Sequence, residues 1–300
     1  MTHDVIIVGG SFAGLSAAIP LARARRRVLV VDSGLPRNRF AAASHGFFTR
    51  DGASPGELLD TARRQLSAYP TAEIVQDEAV QITREGEGFA VALRSGRREN
   101  GKRLVLATGV VDRLPKVDGL DARWGRTVFH CPYCHGYELD GGPIAVLAAG
   151  AVSMHHAMML PDWGPTTFFI NGTFEPSAGE RKDLQGRGVA VVETAVDAVS
   201  DTEDGGIAVH LRDGRRQAFR GVFVASRLEF ATPFATDLGC AVEAGLVGDY
   251  IRTDDHKQTS VSGVFACGDM ARGSGNVPFA VADGTMAGVA AHRSLIFKDH

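Results

Sequence analysis

Cys131 and Cys134, two residues apart, are the groups in this sequence best suited to redox chemistry. They lie in the run Phe-His-Cys-Pro-Tyr-Cys-His-Gly, which spans residues 129–136. Two thiols at this spacing can close a small disulfide or bind a metal ion. With the following His135 they can also attach a c-type haem. The rest of the chain has to decide between these three uses.

The haem and zinc interpretations find little support elsewhere in the sequence. Haem attachment requires export to an oxidising compartment, and a strand is predicted almost from Met1 without an export signal. A zinc site typically adds a second ligand pair at short spacing. The remaining cysteines, Cys240 and Cys267, are far apart, and His130 is a weak candidate. A thiol–disulfide redox pair is therefore favoured, and we predict no metal site.

Composition narrows the class of protein. The formal net charge is −3, and the absence of a long basic run argues against a nucleic-acid partner. No apolar stretch reaches the length of a membrane span, so we expect no membrane partner. The chain has only four cysteines, as is usual in the cytoplasm, where thiols stay reduced unless they are catalytic. The chain of 300 residues is long enough for two domains, and we expect a cytoplasmic protein.

A dinucleotide-binding βα unit is predicted at the start of the chain. An apolar strand at residues 4–8 is followed by a glycine-rich turn at 9–14, a helix at 15–24 and a second strand at 28–32. Such glycines let the backbone approach a pyrophosphate, and the acid that ends the second strand bonds a ribose. Serine replaces the second glycine of the usual G-x-G-x-x-G pattern. The candidate cofactor residues of this unit are Gly9, Gly10, Ser11, Ala13, Gly14 and Asp32.

Two later strands also end in small residues. The strand at 103–109 ends in Ala-Thr-Gly and that at 263–269 in Gly-Asp, with a helix predicted at 281–295. Small residues let the backbone lie close to a ligand, and an acid there can bond a polyol hydroxyl. The long loop at 33–55 contains a histidine that is a candidate cofactor neighbour. The further candidate cofactor residues are Ala107, Thr108, Gly109, Gly268, Asp269 and His45.

A second βα turn, at residues 148–153, departs further from the pattern. Ala148 takes the first glycine position, Gly150 keeps the middle one, and Ser153 takes the last. The segment after the next strand, residues 171–175, has no arginine cluster for a 2′-phosphate and no acid directly at the strand end. We predict that the nucleotide fold is kept but that NAD(P)H binding is doubtful. His155, His156 and Cys240 receive no role, and Cys267 is expected to pack beside the cofactor site.

Taken together, these motifs resemble the low-molecular-weight thioredoxin reductase family of FAD-dependent disulfide oxidoreductases. The resemblance implies an α/β fold with two Rossmann-like three-layer domains. It places a discontinuous FAD domain at residues 1–114 and 234–300. An inserted pyridine-nucleotide-type domain at residues 115–233 then carries the cysteine pair. It also implies bound FAD and a homodimer.

The residues around the cysteines indicate which branch of the family this sequence resembles. Thioredoxin reductases usually place an aspartate after the second cysteine, where this chain has His135. The Cys-x-x-Cys-His-Gly form is similar to the dithiol oxidases of gliotoxin, holomycin and romidepsin biosynthesis. By that analogy Cys134 faces the flavin, Cys131 exchanges with substrate, and the imidazole holds a proton near neutral pH.

Two enzymatic functions remain open. The favoured one oxidises a small-molecule dithiol to a disulfide and passes the electrons through FAD to dioxygen. The alternative is an NAD(P)H-dependent disulfide reductase, whose substrate is a small disulfide or a thioredoxin-like protein. The substrate itself cannot be predicted from the sequence, because the shape of the pocket decides it.

Overall fold

The computed structural model describes residues 2–297, which form two compact units. The first unit is built from the described residues up to Arg39, from Ala53–Val111, and from those beginning at Leu228. The second consists of Phe40–Gly52 and Asp112–Arg227. Each unit has its own sheet and its own buried core.

Strands outnumber helices in both units. The strands are β1 (Thr2–Val8), β2 (Val28–Asp32), β3 (Ala72–Gln76), β4 (Ala79–Glu85), β5 (Gly88–Leu93), β6 (Arg98–Leu106), β7 (Val110–Arg113), β8 (Val128–Phe129), β9 (Ile144–Leu147), β10 (Thr166–Phe169), β11 (Ala190–Val192), β12 (Val196–Asp201), β13 (Ile207–Leu211), β14 (Arg216–Phe219), β15 (Gly221–Val224), β16 (Arg227–Phe230), β17 (Val242–Glu243), β18 (Tyr250–Ile251) and β19 (Val264–Ala266). The helices are α1 (Phe12–Arg23), α2 (Pro55–Ser67), α3 (Pro132–His135), α4 (Met154–Met159), α5 (Ala178–Gly186), α6 (Phe234–Asp237) and α7 (Val277–Ser294). Within residues 2–297, none of these helices has the length and apolarity to cross a membrane.

The first unit is organised around a seven-stranded sheet in the order β3-β2-β1-β6-β5-β4, with β19 also paired to β6. Strands β3, β2, β1, β6 and β19 run parallel, and β4 and β5 form an antiparallel hairpin. The carboxyl ends of the parallel strands therefore share one edge. Ligands of such sheets bind at that edge.

Alternation along the strands buries both faces of this sheet. Ile6 and Val8 of β1 belong to one apolar cluster, whereas Val5 and Ile7 belong to the cluster that includes α1. Successive side chains of a strand point to opposite faces, so a continuous apolar run is required when both faces are covered. The predicted strand at residues 4–8 has this composition, and it forms as expected.

The second unit has a five-stranded parallel sheet in the order β11-β10-β9-β15-β8. A separate antiparallel sheet of β12, β13 and β14 accompanies it. Apolar clusters lie on both sides of β9, with Leu147 in one and Val146 in the other. The α/β class with Rossmann-like sheets, predicted from the sequence, is confirmed.

The sequence predicts that the chain leaves the first domain after residue 114 and returns to it at residue 234. The chain leaves the first unit after Val111 and returns at Leu228. The loop at residues 40–52 was assigned to the first domain from the sequence, but the structure groups it with the second unit. Contacts made within the second unit explain the difference. Phe40 lies directly against Gly125, and His45 pairs with Glu138.

Candidate active site

The cysteine pair is positioned by the edge strand of the second sheet. Strand β8 ends at Phe129, and Cys131 follows in an extended conformation as the N-cap of the single-turn helix α3. Pro132 at the first helical position fixes the backbone angle that a helix start requires. Cys131 and Cys134 are joined by a disulfide with their Cα atoms 5.3 Å apart, and both are half-buried. This arrangement supports the predicted redox pair.

Aromatic side chains hold the redox helix in place. A Cβ atom on Gly136 would lie 2.6 Å from Cδ1 of Trp163, so only glycine fits at this position. Tyr133 meets the same indole edge-on, with ring centroids 5.4 Å apart. The ring of His135 stacks on Phe129 at a centroid distance of 4.4 Å. The disulfide therefore lies on a turn with little room to rearrange.

His135 is less basic than the sequence suggested. Burial lowers the pKa of its imidazole from 6.5 to about 4, while the carboxylate of Glu138 opposes the shift and His45 adds to it. The predicted part of this imidazole in proton transfer stays a prediction. Its ring is neutral at pH 7, and a neutral imidazole is a proton acceptor.

His156, to which the sequence analysis gave no role, is a neighbour of residues 129–139, which contain the cysteine pair and are called the redox segment below. The side chain lies on α4, is 8% exposed, and donates a hydrogen bond to the backbone carbonyl of His130. Burial lowers the pKa of His156 to about 4. The residue thus links α4 to the segment that leads into Cys131. No sequence signal marked it, because the contact joins distant parts of the chain.

In the first unit, the predicted cofactor residues meet at one edge of the sheet. Gly9–Gly14 follows β1, Asp32 ends β2, Ala107–Gly109 follows β6, and Gly268–Asp269 follows β19. These four strands are parallel neighbours, so their carboxyl ends lie side by side. Residues separated by more than 250 positions in the sequence thereby line a single edge.

The glycine positions of the first turn are required by close packing. Gly9 has φ of +105° and passes the carbonyl of Ala107 so closely that a Cβ atom would overlap it. A Cβ atom on Gly14 would overlap the carbonyl oxygen of Gly9, and one on Gly10 would lie 2.5 Å from Cβ of Asp32. Ser11 is the N-cap of α1, and its side chain makes no capping hydrogen bond. The backbone at this turn is therefore open to a ligand.

Each candidate acid of the first unit is paired with an arginine. Asp32 accepts hydrogen bonds from the backbone N–H of Gly34 and from Nη2 of Arg63, both at 3.0 Å. Asp269 accepts one from Nη1 of Arg37 at 2.8 Å. The sequence analysis missed both arginines. Nothing in the local pattern distinguishes them, since they reach the acids from 31 and 232 positions away.

Comparison with known proteins identifies the family. A model of the pyridine nucleotide-disulphide oxidoreductases matches residues 3–284. The chain belongs to this family. It is 32% identical to thioredoxin reductase tcpT of Claviceps purpurea over 309 residues, covering 98% of this chain and 94% of that protein. The predicted resemblance is thus confirmed, as is the class of enzyme, a thioredoxin reductase-like disulfide oxidoreductase.

Solved structures of similar proteins agree with this assignment. An oxidoreductase from Agrobacterium tumefaciens is 51% identical and superposes with a TM-score of 0.96, with both chains covered completely. HlmI is 38% identical with a TM-score of 0.92, covering 98% of this chain and 93% of its own. The family is FAD-dependent.

The first unit of this family member fits a flavin dinucleotide. The N-terminus of α1 follows the glycine turn without a side-chain cap, as a pyrophosphate site requires. Asp32 and Asp269 supply carboxylates at opposite sides of the turn for ribose and ribityl hydroxyls. Helix α7 lies close to α1, because Cβ atoms on Gly284 and Gly288 would overlap carbonyls of α1. The residues that would hold the cofactor are therefore in place.

The two remaining cysteines do not resemble redox groups. Cys267 is fully buried, and burial raises the pKa of its thiol to about 12. Cys240 is also buried, with a raised thiol pKa and a 3.5 Å contact to the hydroxyl of Thr259. A thiolate is the reactive form of cysteine, so both thiols are unreactive at neutral pH. Within residues 2–297, no group of three or more histidine, cysteine or acidic side chains is arranged to hold a metal ion.

In the second βα turn a side chain of the turn itself bonds to the backbone, whereas the N-cap side chain of the first turn makes no such bond. Ala148 is fully buried, and the backbone N–H of Ala149 donates to Oγ of Ser153 at 2.9 Å. The helix that follows, α4, has only six residues. After β10, Asn171 accepts a hydrogen bond from the backbone N–H of Val196 at 2.8 Å. The Ser153 side chain thus occupies one backbone N–H of this turn.

The segment that would meet the 2′-phosphate of NADPH is acidic. Arg181 on α5 is the cation nearest to it in sequence, and it pairs with Glu175 and with Glu193, the latter at 3.0 Å. A guanidinium held by two carboxylates is a poor phosphate ligand, because the incoming anion has to displace them.

Proposed function

We propose that this enzyme is a dithiol oxidase, which closes a disulfide in a small-molecule dithiol and passes the electrons through FAD to dioxygen. The altered second turn is the observation that carries the proposal. Ser153 occupies a backbone N–H that a pyrophosphate would need, and Arg181 is already engaged by carboxylates. An enzyme with a weak NAD(P)H site needs another source of electrons, and a dithiol substrate supplies them.

The chemistry at the disulfide balances in electrons and protons. One substrate thiol loses its proton to the neutral imidazole of His135, and its thiolate attacks Sγ of Cys131. A mixed disulfide forms, the Cys131–Cys134 bond breaks, and Cys134 leaves as a thiolate. The second substrate thiol gives its proton to the Cys134 thiolate and attacks the substrate sulfur of the mixed disulfide, which releases the disulfide product and frees Cys131 as a thiolate. The two substrate protons are then held by His135 and Cys134.

The reduced pair must then be returned to a disulfide. FAD, when bound, supplies the two-electron acceptor for this step. The two electrons and two protons leave with dioxygen as hydrogen peroxide, which closes the cycle. In this scheme Cys134 is the sulfur that faces the flavin, as the family resemblance implies, and Cys131 is the one that meets the substrate. The exposed rings of Tyr133 and Tyr137 lie next to the pair and favour an apolar substrate.

The alternative is an NAD(P)H-dependent disulfide reductase. The complete parallel sheet of the second unit and the positive φ of Gly150 favour it, since both belong to a nucleotide-binding fold. Its substrate would be a small disulfide or a thioredoxin-like protein.

A stopped-flow experiment separates the two functions. Anaerobic enzyme is mixed with NADPH, NADH or dithiothreitol, and the flavin absorbance is followed. We expect dithiothreitol to bleach the flavin through the cysteine pair, NADPH to bleach it slowly, and air to restore the colour. Rapid bleaching by micromolar NADPH would overturn the oxidase proposal in favour of the reductase.

We also propose a homodimer that uses α7. Its inner face packs on α1, whereas Phe279, Met286 and Val289 on the outer face are each 43–45% exposed. Their spacing of seven and three residues places them on one side of the helix. An apolar stripe of this length marks an interface, and a second copy is the partner that the family resemblance implies. Light scattering should show a dimer for the wild type and a monomer for Met286→Glu.

A further inference from the structure

The loop at residues 40–52 holds an acidic residue of the redox segment. Nε2 of His45 lies 3.3 Å from Oε1 of Glu138, and its Nδ1 lies 3.6 Å from Oδ1 of Asp51. Asp51 also accepts a hydrogen bond from the backbone N–H of Gly46 at 2.7 Å. The loop is thus closed on itself and fixes His45 with one ring nitrogen facing Glu138. All of these residues belong to the second unit.

Glu138 lies on the same helical face as His135. The backbone is helical from α3 through the 3₁₀ turn at Tyr137–Leu139, with hydrogen bonds from Gly136 N–H to the Pro132 carbonyl and from Leu139 N–H to the Gly136 carbonyl. Side chains three residues apart along such a turn are neighbours. The carboxylate of Glu138 raises the pKa of the His135 imidazole, and the ring of Phe129 covers one face of that imidazole.

We propose that Glu138 is a positioning residue for proton transfer to His135, and that His45 holds Glu138 in place. The inference rests on the dithiol chemistry proposed above. When a substrate thiol gives its proton to His135, the imidazole becomes a cation inside a half-buried site. A carboxylate already fixed beside it stabilises that cation without having to reorganise, so its effect is largest as the proton arrives.

This inference gives His45 a different role from the one predicted from the sequence. The candidate assignment placed it beside the cofactor, and that assignment stays a prediction. The contacts of its ring in the structure are with Asp51 and Glu138 instead. A long loop that contributes one residue to the support of a catalytic helix explains why residues 40–52 group with the second unit.

The first test measures proton transfer through its pH profile. Glu138→Gln keeps the size of the side chain and removes its charge. Under anaerobic conditions we expect its rate of reduction by dithiothreitol to fall about tenfold, the equivalent of one pKa unit. The acid limb of the profile should move to lower pH. Glu138→Asp should retain part of the rate, and Glu203→Gln, which removes an exposed carboxylate elsewhere in the unit, should match the wild type.

The second test does not depend on turnover. The oxidised enzyme is labelled in its histidine rings, the His135 signal is assigned from His135→Asn, and its chemical shift is followed by NMR from pH 6 to pH 4. Glu138→Gln should displace the signal toward its neutral position at each acidic pH. An unchanged titration would overturn the role of Glu138, even if dithiol oxidation itself is observed. If dithiols fail to reduce the enzyme, the proposed function falls, and the titration still decides whether Glu138 acts on His135.

A double-mutant cycle tests the part assigned to His45. His45→Ala should lower the rate of reduction in the same direction as Glu138→Gln but by less. Because both variants would disturb one unit, the double variant should be no slower than Glu138→Gln alone. Additive losses would show that His45 acts independently of Glu138, and the proposed support would then be wrong.

Discussion

The two βα turns of this enzyme occupy equivalent places in their sheets but differ in what their polar groups do. Gly9–Gly14 follows the central strand β1, and the turn from Ala148 to Ser153 follows the central strand β9. The first turn keeps the outer two glycines of the pattern and has serine in the middle. The second keeps only the middle one.

The two turns differ in whether their residues are fixed by backbone packing or by a side-chain hydrogen bond within the turn. Gly9 and Gly14 have no space for a Cβ atom, so they are fixed by the neighbouring backbone as well as by any ligand. Ser153 instead accepts from the N–H of Ala149 and satisfies the turn from within. At the end of the next strand, Asp32 presents a carboxylate, whereas Asn171 is used to hold Val196.

The second unit combines an intact nucleotide-type sheet with a turn that departs from the usual binding pattern. The five-stranded sheet of the second unit is stabilised by apolar strands buried on both faces. Ala148 of the turn belongs to one of these apolar clusters, and Ser153 is fully buried. The residues that replace the glycines therefore pack with the sheet.

The largest effect, a complete loss of dithiol turnover, is expected when the redox cysteines of the second unit are replaced. Cys131→Ser and Cys134→Ser should each abolish dithiol turnover while FAD stays bound, since thiol–disulfide exchange needs both sulfurs. Turnover is measured by oxygen uptake with dithiothreitol, and bound FAD by the visible spectrum. Cys240→Ser should keep most of the activity. Normal turnover by a Cys131→Ser enzyme would contradict the assignment of the redox pair.

The next prediction compares FAD binding after substitution of the last residue of each turn. Gly14→Ala should weaken FAD binding by at least about 100-fold or give a colourless protein, because the added Cβ atom meets the carbonyl of Gly9. Ser153→Ala at the equivalent position should leave FAD binding unchanged. It should cost about 1 kcal/mol of unfolding free energy, because a buried hydrogen bond is lost. Fluorescence titration of the apoprotein with FAD measures the binding, and equal losses in both variants would show that the two turns do the same work.

The sequence was sufficient for features that local chemistry decides. The apolar runs predicted β1 and β2. Asp32 ends a strand and Asp269 follows one, as their sequence positions indicated, while their role toward a cofactor stays a prediction. These signals depend on residues close together in the chain. The alternating runs from Glu73 to Leu93 predict short antiparallel strands. This is correct for β4 and β5 but wrong for β3, because α2 forms a crossover that returns β3 parallel to β2.

Features created by distant contacts were missed. Arg37 and Arg63 pair with the two acids only after the sheet has formed, and the loop at residues 40–52 is fixed by Glu138. The pKa of His135 depends on burial, which the identity of the residue does not reveal. The general chemistry of the site was therefore predictable, but its electrostatics required the structure.

A smaller effect is expected from restoring the second turn. The double substitution Ala148→Gly with Ser153→Ala recovers the glycine pattern and releases the N–H of Ala149. NADPH should then reduce the flavin up to about tenfold faster, because one phosphate hydrogen bond is worth about 1.5 kcal/mol. Arg181 stays paired with acids, so the gain should be limited. No gain in the anaerobic stopped-flow assay would show that this hydrogen bond does not restrict NADPH.

The last effect concerns acid stability rather than catalysis, and it is expected in the second unit, which contains His135 and His156. Burial lowers the pKa of both from 6.5 to about 4. Between these values the unfolded chain binds a proton that the native protein does not, so stability falls as the pH drops from 6.5 toward 4. For His156 the loss by pH 4.5 is about 2 to 3 kcal/mol, or roughly 4–8 °C in Tm.

Thermal unfolding of the oxidised enzyme between pH 7 and pH 4.5 measures this effect. His156→Gln should be less stable at pH 7, since it disturbs the contact with the His130 carbonyl, but its Tm should fall less steeply with acid. The exposed His256 is the matched control, and His256→Gln should follow the wild-type slope. If His156→Gln also keeps that slope, the imidazole is not held neutral by burial, and the second unit would have no particular sensitivity to acid at this position.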